Sequence, residues 1–424
     1  MTGSDTGTDA GRRRGGLSRR RLFTLSGAAA LATLGVAGCS KEQSGGSSSA
    51  TRTPTAAPSS TAGKVSAPPA SGVLAANVNQ ALDKIDFAEL EAVSATWIRG
   101  FYVMSDADHG DLAGQTGPAK LLQGAARGYG TVLTLKFQYH DAPLPTPGTP
   151  AMRTALARLD KVLAAAMGKV DILTVGNEPF FETRKADRET SRINVFYEEL
   201  ARHTAQYRQT HFGADCRTKI YMGALNALDK PGGQTAQTHR WMTFTAHTPS
   251  IAGVDIHPHV AAPAAAQKYV DYVLPYLRSD QKFLATEFSL VQLWKQHMND
   301  PVNPAFASRH GIAKGTPVWQ VINNATQHPV DEKEWNDFLL SNRWFAAHKT
   351  FLTDQMARFR STGKLAVAAY GITQDAAMSK SFGPHSTPWV LNSMFCPYVC
   401  KPEPGGLPGR NHTWCSTFRG VQHQ

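Results

Sequence analysis

From about residue 72 the chain alternates short, almost continuously apolar runs with longer stretches whose apolar positions recur every three or four residues. The first kind reads as strands buried on both faces, the second as amphipathic helices. Eight runs stand out, at residues 72–78, 95–103, 131–137, 170–176, 219–224, 253–257, 282–286 and 364–371. Helical spacing appears at 86–93, 152–167 (Leu156, Leu159, Val162, Leu163), 195–208, 264–277 and 335–360. Eight β–α units in alternation predict an α/β fold whose parallel sheet closes into a (β/α)8 TIM barrel. An open doubly wound sheet is the alternative. Its first strand is ordinarily followed by a glycine-rich phosphate loop, and none follows Val78. Residues 291–330 interrupt the seventh unit and are expected to form an elaborated loop over the barrel mouth.

Residues 1–71 follow neither pattern. Arg19-Arg20-Arg21-Leu22-Phe23 precedes an apolar stretch from Leu25 to Ala37 that is too short to span a bilayer, and the stretch closes on Val36-Ala37-Gly38-Cys39. Residues 40–71 are mostly Ser, Thr, Ala, Gly and Pro, a composition that buries too little surface to fold. The expected organisation is a signal peptide at 1–38, a linker at 39–71, and a barrel with a cysteine-containing tail at 72–424. The leader resembles a twin-arginine signal ending in a bacterial lipobox. That resemblance implies export by the Tat translocase, cleavage before Cys39, a lipid on the Cys39 thiol, and an extracytoplasmic protein anchored to the membrane or secreted.

Charge adds one exclusion. The net charge is +11, but residues 1–38 hold six arginines and two aspartates, so the remainder carries +7, spread without a dense basic run. No nucleic-acid partner is expected. Four cysteines follow Cys39, namely Cys216, Cys396, Cys400 and Cys415. Their spacing fits no common zinc site, and outside the cytoplasm a disulfide-stapled C-terminal tail is the expectation, with three pairings open.

Catalytic groups of parallel barrels sit at the C-terminal ends of the strands. The fourth run leads into Gly176-Asn177-Glu178-Pro179 and the seventh into Thr286-Glu287-Phe288. Two carboxyls at one end of a barrel suit cleavage of an acetal: one protonates the departing oxygen and the other attacks the sugar carbon. In placement these residues resemble clan A of the retaining glycoside hydrolases, the 4/7 superfamily. The resemblance rests on strand order and a few positions across the barrel. It implies that Glu178 is the acid/base, Glu287 the nucleophile, and Asn177 a ligand of the sugar 2-hydroxyl. It also implies that Arg99, on the second strand, keeps Glu287 ionised. Asp255-Ile256-His257-Pro258-His259 resembles the clan's strand-six His-x-Tyr, with His259 in the tyrosine's place.

The clan's strand-eight tryptophan is missing from Ala369-Tyr370-Gly371, so Tyr370 or a returning Trp389 is expected to floor the sugar site. Trp294, Tyr102, Phe180 and Phe181 are further candidate stacking surfaces. Lys136, Gln138 and Asn226 are candidate polar contacts. Two histidines one residue apart suggest a metal, but no third ligand is evident nearby, and neither a metal nor another cofactor is expected. The resulting reading is a retaining glycosidase acting on an extracellular or cell-wall poly- or oligosaccharide. The other reading is an inactive glycan-binding lipoprotein, which would not require a matched acid and nucleophile.

Overall fold

The structure, a computed structural model, describes residues 67–79 and 81–422. The twin-arginine leader, Cys39 and most of the linker lie outside the described residues. Eight parallel strands close in sequence order: β1 (Val73–Asn79), β2 (Trp97–Val103), β3 (Gly130–Lys136), β4 (Ile172–Val175), β5 (Lys219–Leu225), β6 (Ile251–Ile256), β7 (Lys282–Ala285) and β8 (Leu365–Gln374). Each apolar run named from the sequence overlaps one of these strands. No helix among the described residues is long and apolar enough to cross a membrane.

Two apolar layers hold the barrel. Every second strand residue faces inward, and Val73, Ala75, Trp97, Val132, Ile172, Tyr221, Leu284 and Val367 fill the interior as one cluster. The intervening residues, Leu74 and Ala76 on β1 and Leu173 and Val175 on β4 among them, face the surrounding helices in a second, larger cluster. Helix Pro150–Ala166 shows why the outer layer forms. Thr149 caps its first turn by accepting from the Met152 N–H at 3.3 Å, proline occupies the first turn, and Leu159, Val162 and Leu163 are buried.

Three expectations change. The predicted single helix at 335–360 is three helices, Glu332–Ser341, Arg343–Ala346 and Phe351–Ser361, and Asn342 bonds back to the Phe338 carbonyl at the first break. The predicted loop at 291–330 carries helices Val291–Gln296, Pro304–Arg309 and Val318–Gln327, whose Val291, Trp294, Phe306 and Ile322 are buried. The cysteine tail is not stapled. Cys216, Cys396, Cys400 and Cys415 are free thiols. Apolar packing secures the tail instead: Trp414 is buried against Tyr370 and Phe345 and donates Nε1–H to the Leu391 carbonyl at 2.9 Å. Burial pushes the Cys396 and Cys415 thiols up to about 12.

Residues just ahead of β1 bond to the barrel. Gly72 N–H bonds to the Pro69 carbonyl, and Lys282 Nζ reaches the Ala70 carbonyl at 2.9 Å.

Candidate active site

The inward-facing ladder turns from apolar to polar toward the C-terminal ends of the strands. On β1 it reads Val73, Ala75, Asn77; on β2 Trp97, Arg99, Phe101; on β3 Val132, Thr134, Lys136. This parity brings Arg99 into the barrel axis, fully buried. Its guanidinium donates to Glu287 Oε1 at 2.5 Å and Asn177 Oδ1 at 2.6 Å, and also to Asn77 Oδ1 at 2.9 Å and Thr134 Oγ1 at 3.2 Å. A donor-only group thus fixes the orientation of both asparagine amides.

Glu178 leaves β4 through a tight turn. Its own backbone is left-handed (φ 44°, ψ 55°), which is costly for a residue with a Cβ and persists only where the surroundings impose it. Gly176 makes the turn possible. It sits at φ 109°, and a Cβ there would stand 2.8 Å from Pro179 and 2.9 Å from Tyr197.

The two glutamates meet at His257. Its Nδ1 lies 3.3 Å from Glu178 Oε1 and 4.0 Å from Glu287 Oε1. The other face of the ring sets which nitrogen looks at them. Asp255 accepts the Thr286 backbone N–H at 3.0 Å together with the Thr286 hydroxyl. With that proton committed, Thr286 Oγ1 receives Nε2–H of His257 at 2.9 Å. His259 meets the other oxygen of Glu287, with Nε2 3.5 Å from Glu287 Oε2 and Nδ1 2.8 Å from Ser289 Oγ.

These contacts set the charges. Burial pushes Glu287 up, but His257, Arg99 and His259 outweigh it and hold the carboxyl well below the usual carboxylate range. Burial opposes the charge on His257 as well, yet Glu287, Asp255 and Glu178 raise it to about 9. Glu178, expected from its role to be raised, is lowered instead: burial raises it, and the hydrogen bond and charge of His257 prevail. One proton is therefore shared between Glu178 and His257 and rests on the imidazole. The fold brings Glu178 to the two histidines as the third donor that was not evident nearby in the sequence. One atom each from Glu178, His257 and His259 lie within 4.8 Å of one another, a span able to enclose a cation. Arg99 already supplies a positive charge to this cluster.

The remaining expected contacts divide. Trp389, in a short turn after β8, lines a cleft of about 200 Å³ with Glu287, Asn77 and His259, its ring edge-on to His259 at 4.9 Å between centroids. The inward β8 residues Ala369 and Gly371 are small, and the returning Trp389 lines the same cleft. Tyr370 does not floor the site. It points outward, fully buried, and donates its hydroxyl to Asn392 Oδ1 at 2.9 Å. Trp294 is buried against Trp344 and Phe345, away from the cleft. Replacing Trp294 with alanine should cost roughly 3–5 kcal/mol in denaturant unfolding and leave the folded protein's substrate affinity unchanged.

Lys136 is already engaged by a carboxylate. It pairs with Glu182 at 2.8 Å over the Phe101 ring, and His140 binds the same carboxylate at 2.9 Å. Asn226 is half-buried after β5 and does not line the cleft. Tyr102 bonds outward to Gln115, Phe180 packs on Trp241, and Phe181 is 59% exposed. Sequence reading missed Asn77, Thr134, Thr286 and Ser289. Counting by twos along β1 and β3 would have put the first two on the inner face. A separate cavity of about 280 Å³, lined by Leu82, Tyr102, Leu121 and Leu133, is wholly apolar and carries no group suited to chemistry.

No family model matches this chain, and no curated protein sequence matches it. Solved structures resemble it at low identity. A glycoside hydrolase family 10 protein from Paenibacillus barcinonensis is 12% identical, with 72% of this chain and 84% of that chain covered and a TM-score of 0.43. An endo-1,4-β-xylanase from Caldicellulosiruptor owensensis is 10% identical, covering 83% and 97%, with a TM-score of 0.46. An exo-β-1,4-mannosidase from an Opitutaceae bacterium is 11% identical, covering 83% and 60%, with a TM-score of 0.48. At these values the likeness is one of fold.

Proposed function

We propose that this chain is a retaining glycoside hydrolase, with Glu287 as nucleophile and Glu178 as acid/base. One observation carries the reading: two carboxylates from β4 and β7 contact the same buried histidine nitrogen, and only one of them is also held by a buried arginine. Their oxygens can be no farther apart than those two short contacts laid end to end. That limit does not separate the roughly 5–5.5 Å of a retaining pair from the roughly 6.5–9.5 Å of an inverting one, and the retaining reading rests on Arg99, which keeps Glu287 ionised for attack.

In the first step the Glu287 carboxylate attacks the anomeric carbon as the glycosidic bond breaks, and the leaving oxygen takes the proton from Glu178. The charge of Glu287 is the foremost influence keeping the shared proton on His257. As that charge is consumed in the glycosyl ester, the proton passes through Glu178 to the leaving oxygen. Water, deprotonated by Glu178, then cleaves the ester and restores the pair. Asn177, its amide turned by Arg99, presents Nδ2–H beside the nucleophile to a sugar hydroxyl. The substrate class is a poly- or oligosaccharide. The leader sequence supports an extracytoplasmic setting at the bacterial membrane through a lipid on Cys39.

The pH profile follows. Activity needs Glu287 ionised and the Glu178–His257 pair carrying one proton. The acid limb of kcat/KM should therefore lie below the ordinary carboxylate range, and the alkaline limb near pH 9, where His257 loses its proton. In His257→Gln the proton rests on Glu178 alone, and the alkaline limb should move acidward by about 1–3 pH units. An alkaline limb that stays at pH 9 would remove His257 from this role.

The direct test offers the full chain β-glucans, xylans, mannans, galactans, arabinans and aryl glycosides, with new reducing ends or released phenol as the readout. Cleavage of the glycans by the wild type that collapses in both Glu178→Gln and Glu287→Gln is expected. Cleavage that survives both refutes the assignment. Tight binding of one glycan with no cleavage favours a glycan-binding lipoprotein.

A further inference from the structure

We infer that the sugar site is a dead end that takes one terminal sugar residue, so that the enzyme trims glycan chains from their non-reducing ends. The inference rests on the proposed roles of Glu178 and Glu287. Because Glu178 protonates the departing oxygen, the leaving part of the substrate lies on the β4 side. The cleft bounded by Glu287, β1 and β8 is then where the attacked sugar sits.

A built wall closes the far side of this cleft. Asn79 donates Nδ2–H to Gln374 Oε1 at 2.8 Å, and Gln374 donates Nε2–H to the Asn392 carbonyl at 3.2 Å, linking β1, β8 and the Trp389 turn. Gln374 is 3% exposed, and both ends of its amide are used within the protein. Held at both ends, its side chain stands across the path that a second sugar would take. Two backbone features permit the bridge. The β1–β8 register shifts between Asn77 and Val78, which re-aims the strand ends, and residue 371 is glycine. A Cβ at 371 would stand 2.6 Å from Gln374 Nε2 and 2.9 Å from the Asn392 carbonyl, so a larger residue would displace the wall.

The leaving side carries an exposed aromatic ring. Phe181, in the helical turn that follows Glu178, is 59% exposed and offers a flat apolar face to a departing chain.

Two measurements test the inference. The first follows products from the most active glycan by chromatography from the earliest times. A single monosaccharide and chains one residue shorter are expected, with little change in polymer size. A spread of oligosaccharides at the outset would overturn the inference while leaving the glycosidase reading intact. The second measures binding of oligosaccharides to Glu287→Gln, with the terminal non-reducing sugar either free or capped by a bulky acetal, and so does not depend on turnover. Capping should weaken binding at least about tenfold, and equal binding of capped and free chains would overturn the inference. Two variants separate wall from platform. Gln374→Ala should release disaccharide as well as monosaccharide. Phe181→Ala, an exposed change that spares the fold, should raise KM for chains about 3–10-fold and leave that for aryl monosaccharides unchanged. An unchanged KM for chains would overturn the assignment of the leaving side.

Discussion

Glu287→Gln should abolish turnover of every substrate, whereas Glu178→Gln should spare the first step of those whose leaving group needs no proton. The contrast follows from where each carboxyl acts. Glutamine at 287 still accepts from Arg99 but cannot form the glycosyl ester, so good and poor leaving groups fail alike. Glutamine at 178 removes proton donation, worth about 10²–10⁴ in rate on glycans and alkyl glycosides. An aryl glycoside with an acidic phenol departs unaided, and with Glu178→Gln it should form the ester at close to the wild-type rate and then stall for want of a base. A burst of phenol followed by a slow steady state is the expected trace. Equal losses for both leaving groups in Glu178→Gln would take the acid/base role from that residue.

Arg99→Leu should be the most destabilising single change at the site. The guanidinium is fully buried and satisfies Glu287, Asn77, Asn177 and Thr134 together. Leucine leaves a buried carboxylate short of its partner and two asparagine carbonyls without donors. Breaking such a pair costs roughly 3–5 kcal/mol. The same loss removes one of the charges that lower Glu287, so the acid limb of any residual activity should rise toward the ordinary carboxylate range. Denaturant unfolding and a pH profile measure the two effects separately. A stable Arg99→Leu protein with an unmoved acid limb would show that His257 and His259 suffice to keep Glu287 ionised.

The strands were legible because each is apolar on both faces and short, a pattern a barrel needs in every unit. That same pattern hides which residues point inward. In Ala366-Val367-Ala368-Ala369-Tyr370-Gly371 nothing polar marks the parity, so Tyr370 read as a sugar platform although it faces the helices. Where a polar residue punctuates the run, as Asn77 does on β1 and Arg99 on β2, the inner face is readable by counting twos from it. That Glu178 and Glu287 lie at one mouth of the barrel was legible because each follows the C-terminal end of an apolar strand. Trp294 was not, because a tryptophan in an insertion looks the same whether it caps a sugar or fills a core, and helices at 291–327 decided for the core. The cysteines misled for a similar reason. An even count outside the cytoplasm suggests pairing, while three of these thiols are among the tail's buried apolar contacts. The charges of the site lay beyond the sequence altogether, since the lowered Glu178 arises from His257, seventy-nine residues away.

The central claim is that Glu287 forms a covalent bond to the sugar. Incubating the full chain with a panel of 2-deoxy-2-fluoro aryl glycosides, followed by intact-mass and peptide analysis, tests it most directly. Fluorine slows breakdown of the ester more than its formation once the leaving group is good, so the intermediate accumulates. The account predicts a mass increase of one fluorosugar on the peptide containing Glu287, absent from Glu287→Gln. A label on another residue, or turnover of the parent glycosides with no label on any residue, would contradict it.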